Sequence, residues 1–157
     1  MQTKYMNTQK INKFSVIGIS VRTTNRYGKA GNDIPALWNN FMINGIADKI
    51  PGKIDNSIYC IYTEYTKDHT QSYTAILGCK VSNLETVPNG MTGKTFEEAN
   101  YTKHIAKGDI LQGVVFNVWI KIRNSNLART FTTDFEVYGE KAQDPENAEV
   151  DIFIAVK

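Results

Sequence analysis

Near the end of the chain, the segment TDFEVYGE alternates acidic and aromatic side chains. Read as a β-strand, it directs Asp134, Glu136 and Tyr138 to one face of a sheet and Phe135 and Val137 to the other. A carboxylate beside an aromatic ring can hold an aromatic or lipophilic cation, because it supplies the counter-charge and the ring supplies a negatively polarised face. On a strand taken alone, a glutamate is more often solvated. The surrounding elements therefore decide between the two interpretations.

The size and composition of the chain allow a substantial core and a pocket. It has 157 residues, of which 41% are hydrophobic, with eight Tyr, seven Phe and two Trp. Such a length fits one domain or two small fused units that share a core. The 18 basic residues are scattered and nearly balance the 16 acidic ones. This distribution gives no field that recruits nucleic acid or an anionic membrane, so we expect neither as a direct partner.

The N-terminal segment MQTKYMNTQKINK lacks the apolar stretch of a secretory signal, and no apolar run approaches the length of a membrane span. These patterns indicate a cytoplasmic protein. Cys60 and Cys79 are too few for a disulfide scaffold and too far apart for a CxxC motif, so we expect reduced, buried thiols. Only His69 and His104 accompany them. We therefore expect no metal site and no cofactor.

The first half of the chain predicts a strand, a helix and a hairpin. Residues 13–23 are rich in β-branched side chains, as strands are, and Gly18 indicates a bulge or a close approach of two backbones. Asp33 can cap the helix that follows. An apolar stripe at helical spacing comes next: Ile34, Leu37, Trp38 and Phe41. Residues 57–65 and 73–81 read as the two strands of a hairpin, which brings the cysteines close together.

The second half repeats this pattern. A strand candidate near 95–106 precedes Asp109, which forms an N-terminal capping signature with Gln112. Helical spacing follows at Leu111, Val115, Val118, Trp119 and Ile122. The β-branched segment VVFNVWIKI favours a strand by propensity. However, the predicted first residues of the two helices are 33 and 109, and the hairpin strands near 58 and 73 correspond to strands near 133 and 148. The distance along the chain between corresponding elements is almost constant. We therefore predict a second helix and a duplicated unit.

The duplication predicts an α+β fold of two pseudo-symmetric β-α-β-β units, at about 13–83 and 94–157, with the helices on one face of an antiparallel sheet. A groove then lies between the helices at the pseudo-twofold axis. Grooves between such units are common sites for small ligands. Trp38 and Trp119 take equivalent places, one on each helix. Core packing remains the alternative for each of them.

Other motifs indicate no catalytic site. GMTGKT at 90–95 resembles the end of a phosphate-binding loop, but Pro88 stands where that loop requires its first glycine. No serine has a G-x-S-x-G setting, and nothing joins either histidine to a nucleophile. Asp68 and His69 fall in the polar hairpin loop, where we expect both to be solvated.

The chain resembles the GyrI-like effector-binding domains, which also form the ligand-sensing half of bacterial AraC-type and MerR-type multidrug regulators. The residues that carry the match are VIGISVRTTN at 16–25, IPALWNNF at 34–41, YTEY followed by YTAILGCKV, and TDFEVYGE with EVDIFIAVK. The resemblance spans nearly the whole chain. It implies the duplicated fold described above and the binding of a small hydrophobic or cationic ligand in the central groove.

The resemblance also implies roles for particular residues. Glu136 corresponds to the acidic residue at the bottom of the family's groove, which meets the charge of cationic aromatic drugs. The residues that we expect to contact the ligand are Glu136, Tyr138, Trp119, Trp38, Tyr62 and Leu77. The segment ANYTKHIAKG is more polar than the family's usual strand. Lys103 could therefore point toward the groove and weaken its preference for cations.

Three biological roles are consistent with this resemblance. The full-length regulators carry a helix-turn-helix domain ahead of the effector-binding unit, whereas about a dozen residues precede the first strand here. We expect residues 1–157 to form a single effector-binding domain without a DNA-binding domain. It would act as a sensor, through a protein partner, or as a sequestering protein. The alternatives are a hydrolase of cyclopropane-bearing or other electrophilic toxins, with Glu136 catalytic, and an interaction protein of the gyrase-inhibitor type.

Overall fold

Runs of β-branched and aromatic residues form eight strands in residues 8–157, the part of the chain that the computed structural model describes. The strands are β1 (Thr8–Ile11), β2 (Phe14–Thr24), β3 (Ile58–Thr63), β4 (Ser72–Val81), β5 (Thr92–Phe96), β6 (Ala99–Gly108), β7 (Thr133–Tyr138) and β8 (Ala148–Val156). They pair antiparallel in one sheet, in the order β1-β6-β8-β7-β3-β4-β2-β5. The prediction that no secretory signal is present concerns residues 1–13, and residues 1–7 of this segment lie outside the described residues.

The sheet curls strongly. Residues 12–13 link β1 to β2, and residues 97–98 link β5 to β6, although each link joins strands from opposite ends of the sheet. Such short links require the two ends to lie close together. The rings of Phe14 on β2 and Tyr101 on β6 each lie 5.3 Å from the ring of Phe135 on the central strand β7. This aromatic cluster therefore fills the concave face.

Gly18 and Gly78 lie directly opposite each other on β2 and β4. A Cβ atom on Gly18 would stand 2.1 Å from the carbonyl oxygen of Leu77, and one on Gly78 would stand 2.2 Å from that of Ile17. The backbones of the two strands thus approach more closely than any other residue type allows. Of the two predicted roles for Gly18, the structure shows the close approach.

Two helices cover the convex face of the sheet. α1 (Ala30–Ile43) buries Leu37 and Phe41 against the first hairpin, and α3 (Val114–Arg123) buries Trp119 and Ile122 against β6 and β8. A short helix, α2 (Ile46–Lys49), follows α1. The α+β fold of two β-α-β-β units is confirmed, and so is the helix that β-branched propensity opposed. None of the helices in residues 8–157 is long and apolar enough to cross a membrane.

Both long helices begin elsewhere than predicted. α1 starts at Ala30, ahead of Asp33, and an ion pair between Lys29 and Asp33 spans its first turn. Asp109 accepts a hydrogen bond from the backbone N–H of Leu111, but it caps a separate 3₁₀ turn. Gly113, with φ at 85°, ends that turn before α3 begins. The constant spacing therefore holds for the hairpin strands and not for the helices.

Strand boundaries also differ in detail. Glu64 adopts a left-handed conformation with φ at 52°, which ends β3 before the predicted residue 65. The predicted strand at 95–106 is divided between β5 and β6. Cys60 pairs in register with Leu77 and thus lies diagonal to Cys79, as predicted, and both thiols are free and buried.

Candidate functional site: a groove between the helices

A groove of about 560 Å³ lies between α1 and α3, over the central strands β3 and β7. This volume falls in the range of pockets that hold drug-sized ligands, about 300 to 1,000 Å³. The residues that form its floor and walls are Ile34, Pro35, Trp38, Tyr62, Tyr65, Tyr73, Val115, Phe116, Trp119, Glu136 and Tyr138. Most of these side chains are aromatic or aliphatic, so the groove offers a predominantly apolar surface with one carboxylate at its bottom.

Glu136 lies in the middle of β7 and is only 2% exposed. Its Oε2 accepts hydrogen bonds from Trp119 Nε1 at 2.7 Å and Tyr62 Oη at 3.1 Å, and its Oε1 accepts one from Tyr138 Oη at 2.7 Å. Burial raises the pKa of both tyrosines well above its ordinary value, so their hydroxyls stay protonated as donors. Three donors converging on one carboxylate favour its ionised form.

Burial acts in the opposite direction and prevails, because the pKa of Glu136 is raised above its ordinary value despite the bonds from Tyr138, Trp119 and Tyr62. Within residues 8–157, no basic side chain forms an ion pair with this carboxylate. A buried carboxylate that has donors but no counter-ion is costly to ionise. A cation entering the groove would supply the missing charge.

Asp134, two residues earlier on the same face of β7, is fully buried and has a counter-ion. Its Oδ2 accepts hydrogen bonds from Arg129 Nη2 at 2.9 Å and Tyr65 Oη at 2.6 Å, and its Oδ1 accepts one from the backbone N–H of Ala155 at 2.9 Å. Two carboxylates on one strand face thus have different environments. Asp134 stabilises the structure, whereas the charge of Glu136 has no partner among residues 8–157.

Edge-to-face aromatic contacts hold the walls of the groove. The ring of Trp38 on α1 lies 4.8 Å from that of Tyr138, and the ring of Trp119 on α3 lies 5.4 Å from that of Tyr62. Tyr62 in turn packs edge-on against Tyr73 at 5.9 Å. Such pairs restrict ring orientation, so the apolar surface around Glu136 is formed before any ligand arrives.

Five of the six residues expected to contact a ligand line this groove: Glu136, Tyr138, Trp119, Trp38 and Tyr62. Leu77 does not, because it is fully buried beneath α1 in the same core cluster as Phe41. Lys103 also lies elsewhere. It pairs in register with Phe153 on the concave side of the sheet and forms an ion pair with Asp151 at 3.7 Å.

Sequence reasoning missed the residues at one end of the groove. His69, predicted to be solvated, lines the groove together with Arg123 and Arg129. The spacing of Trp119 and Arg123, four residues apart on one helix, places them on one face and could have identified Arg123. Arg129 lies in the segment between α3 and β7, where no periodicity indicates the direction of a side chain.

Comparisons with known proteins agree with this fold. Residues 9–156 match the family model described as integron-associated effector binding protein. An integron cassette protein from the mobile metagenome of Vibrio cholerae, known from its crystal structure, has 31% sequence identity to this chain. The structural match covers 96% of this chain and 95% of that one, with a TM-score of 0.74.

Two further relatives extend the comparison. A putative transcriptional regulator protein of Bacillus subtilis (strain 168), YobU, is 26% identical over 144 residues, which cover 89% of this chain and 90% of that protein. The structure of SAV2435 bound to tetraphenylphosphonium has a TM-score of 0.78 over 96% of this chain and 93% of that one. Its identity is 14%, so this likeness is one of fold. By the family match and the 31% identical relative, the chain belongs to the integron-associated effector binding proteins.

Proposed function

We propose that the groove binds a hydrophobic small molecule with a cationic centre, and that Glu136 is its electrostatic anchor. The observation that carries this proposal is the environment of Glu136, which is 2% exposed and is contacted by three donors without a basic partner in residues 8–157. Membership of an effector-binding family supports the binding of a small molecule. The carboxylate supports a positive charge on that molecule.

The walls of the groove suit the same ligand. A delocalised or aryl-substituted cation gives up little hydration when it leaves water, and its charge is attracted to the faces of Trp and Tyr rings. Trp38, Trp119 and Tyr62 offer such rings around the carboxylate. The lipophilic cation named with SAV2435, tetraphenylphosphonium, is a ligand of this kind bound to a protein of the same fold.

The geometry favours binding over hydrolysis. An ionised carboxylate offers about four lone-pair sites. Tyr62, Trp119 and Tyr138 occupy three of them, which leaves little capacity to orient and deprotonate a water molecule. Interaction with a distant charge needs no free lone pair. We therefore infer that Glu136 acts as an anchor in a sensing or sequestering protein.

The two tryptophans of the chain, Trp38 and Trp119, both line the groove, so intrinsic tryptophan fluorescence reports on this site. We expect tetraphenylphosphonium to change this fluorescence with a Kd in the micromolar range, which corresponds to a favourable binding free energy of about 8 kcal/mol. Tetraphenylborate, an anion of the same shape, is the matched control and should bind far more weakly. Tighter binding of the borate than of the phosphonium would show that the charge assignment is wrong.

A further inference from the structure

The end of the groove beyond Trp119 carries three basic side chains from three separate elements. Arg123 comes from the last turn of α3, Arg129 from the segment that follows, and His69 from the loop between β3 and β4. The guanidinium carbon of Arg129 lies 5.9 Å from the centre of the Trp119 ring, while the N–H of that indole donates to Glu136. One indole therefore separates the basic end of the groove from its acidic floor.

Each of these basic side chains has a buried nitrogen atom. Among the described residues, Arg123 Nε, Arg129 Nε and His69 Nδ1 are buried and have no hydrogen-bond partner. A buried donor without an acceptor costs about 1 to 3 kcal/mol, and native structures contain few of them. Here two such donors, Arg123 Nε and Arg129 Nε, occur at one end of one groove, beside a ring nitrogen of His69 that donates or accepts according to its tautomer. The side chains that carry these atoms line the groove, so they are suited to a ligand that carries an acceptor.

Neighbouring residues hold Arg129 and His69 of the basic end in place. Arg129 is fixed by its 2.9 Å bond to Asp134 and by the ring of Phe131, which lies 4.3 Å from its guanidinium carbon. The ring of His69 lies 5.9 Å from the same phenylalanine, and its backbone carbonyl accepts a hydrogen bond from Asn25 Nδ2 at 2.9 Å. Donors fixed in this way lose little conformational entropy on binding.

The proximity of the three groups is also evident in their electrostatics. The pKa of His69 is lowered, first by burial and then by the charges of Arg129 and Arg123. The imidazole is therefore held neutral beside two guanidinium groups, and the tautomer decides whether its Nδ1 donates or accepts. Arg123 forms no ion pair within residues 8–157.

Of the charged side chains that line the groove, Arg129 is paired with the buried Asp134, which leaves Arg123 and Glu136 to balance each other when Glu136 is ionised. A simple monocation would neutralise Glu136 and leave Arg123 uncompensated. We propose that the ligand is dipolar: an aromatic cation at Glu136 that also carries a carboxylate, bound by Arg123 with Arg129 and His69 beside it. Planar guanidinium groups suit this role because they bind carboxylates through two parallel hydrogen bonds. The inference rests on the proposed cation site.

A matched pair of probes tests it: pentyltriphenylphosphonium and (4-carboxybutyl)triphenylphosphonium, which share the cation and the chain length. If Glu136 were the only charged group that the probe meets, the added carboxylate would weaken binding, because the two carboxylates repel each other. With the basic end engaged, we expect the carboxylated probe to bind the unaltered protein about tenfold more tightly, as for a charge-assisted bidentate contact. Tryptophan fluorescence gives both Kd values.

Two variants of α3 locate the effect. Arg123→Gln should abolish the advantage of the carboxylated probe, and Arg123→Lys, which keeps the charge without the fork, should retain only part of it. Lys121→Gln is the matched control, because Lys121 is exposed on the same helix and does not line the groove. It removes the same charge and should leave the ratio of the two Kd values unchanged. Thermal unfolding verifies that each variant is folded.

The outcomes separate this inference from the function on which it rests. If the unaltered protein binds the pentyl probe but binds the carboxylated probe more weakly, the dipolar ligand is excluded while the cation site stands. If Arg123→Gln and Lys121→Gln reduce the ratio equally, the effect is one of net charge and the assignment to Arg123 is wrong. Binding of neither probe would overturn the cation site itself.

Discussion

Replacing Glu136 with glutamine removes the negative charge at the floor of the groove and keeps the shape of the side chain. The amide oxygen can take the place of Oε2, where it still accepts hydrogen bonds from Trp119 and Tyr62. The amide NH₂ group then faces Tyr138 Oη, which can accept a hydrogen bond from it in place of donating one to Oε1. The substitution therefore preserves the network, and any change in cation affinity reports on the charge.

The magnitude follows from the position of the carboxylate at the bottom of the groove. With a cation about 5 Å away and an effective dielectric constant of about 20, Coulomb attraction is about 3 kcal/mol. Part of this offsets the loss of hydration, so we expect the Glu136→Gln variant to lose about 1 to 3 kcal/mol of binding free energy for tetraphenylphosphonium. This corresponds to an increase in Kd of about 5- to 150-fold.

Fluorescence titration or calorimetry measures this loss, and two controls define it. Triphenylphosphine oxide, a neutral aromatic compound of related shape, should bind Glu136→Gln nearly as it binds the unaltered protein. Glu140→Gln removes the same charge from an exposed position outside the groove and should have no effect. If the folded Glu136→Gln variant binds tetraphenylphosphonium within twofold of the original affinity, Glu136 is not the electrostatic anchor.

Two further predictions concern stability. Because the folded-state pKa of Glu136 is raised above its ordinary value of 4.5, its contribution to stability is fully present below that value and is lost as pH rises through the folded-state pKa. Urea unfolding across this range should show the loss in the unaltered protein and not in Glu136→Gln; equal pH dependence would contradict it. Gly18→Ala should destabilise the fold by about 3 kcal/mol or more, because its Cβ would stand 2.1 Å from a carbonyl oxygen. Gly31→Ala meets no atom within 4 Å and serves as its control, and similar unfolding midpoints for the two variants would contradict the close approach.

The fold could be predicted because its signals repeat along the chain. The β-branched segment of α3 favours a strand by propensity although its apolar residues have helical spacing, and its correspondence with α1 decided for a helix. The helix starts could not be predicted as well. In α1 the predicted cap Asp33 lies inside the first turn, paired with Lys29, and in α3 a left-handed turn at Gly113 separates the helix from Asp109. Both are local features that a capping signature does not reveal.

The site could be predicted in part, for a related reason. Strand alternation placed Asp134 and Glu136 on one face, but it could not show which of them has a counter-ion, because Arg129 reaches Asp134 from an irregular segment. Leu77 was assigned to the groove wrongly. Strand alternation directs the side chain of Leu77 toward the helix-covered face of the sheet, where both core and groove residues lie. Which of the two it becomes depends on how much of the sheet α1 covers.

The most direct test of the central claim is a crystal structure of the protein with tetraphenylphosphonium. We expect the cation to lie between Trp38 and Trp119, with its phosphorus about 5 to 7 Å from the Glu136 carboxylate, since aryl rings prevent a closer approach and the groove floor ends at that side chain. A cation bound outside the groove, or bound within it against the opposite wall with no approach to Glu136, would contradict the account.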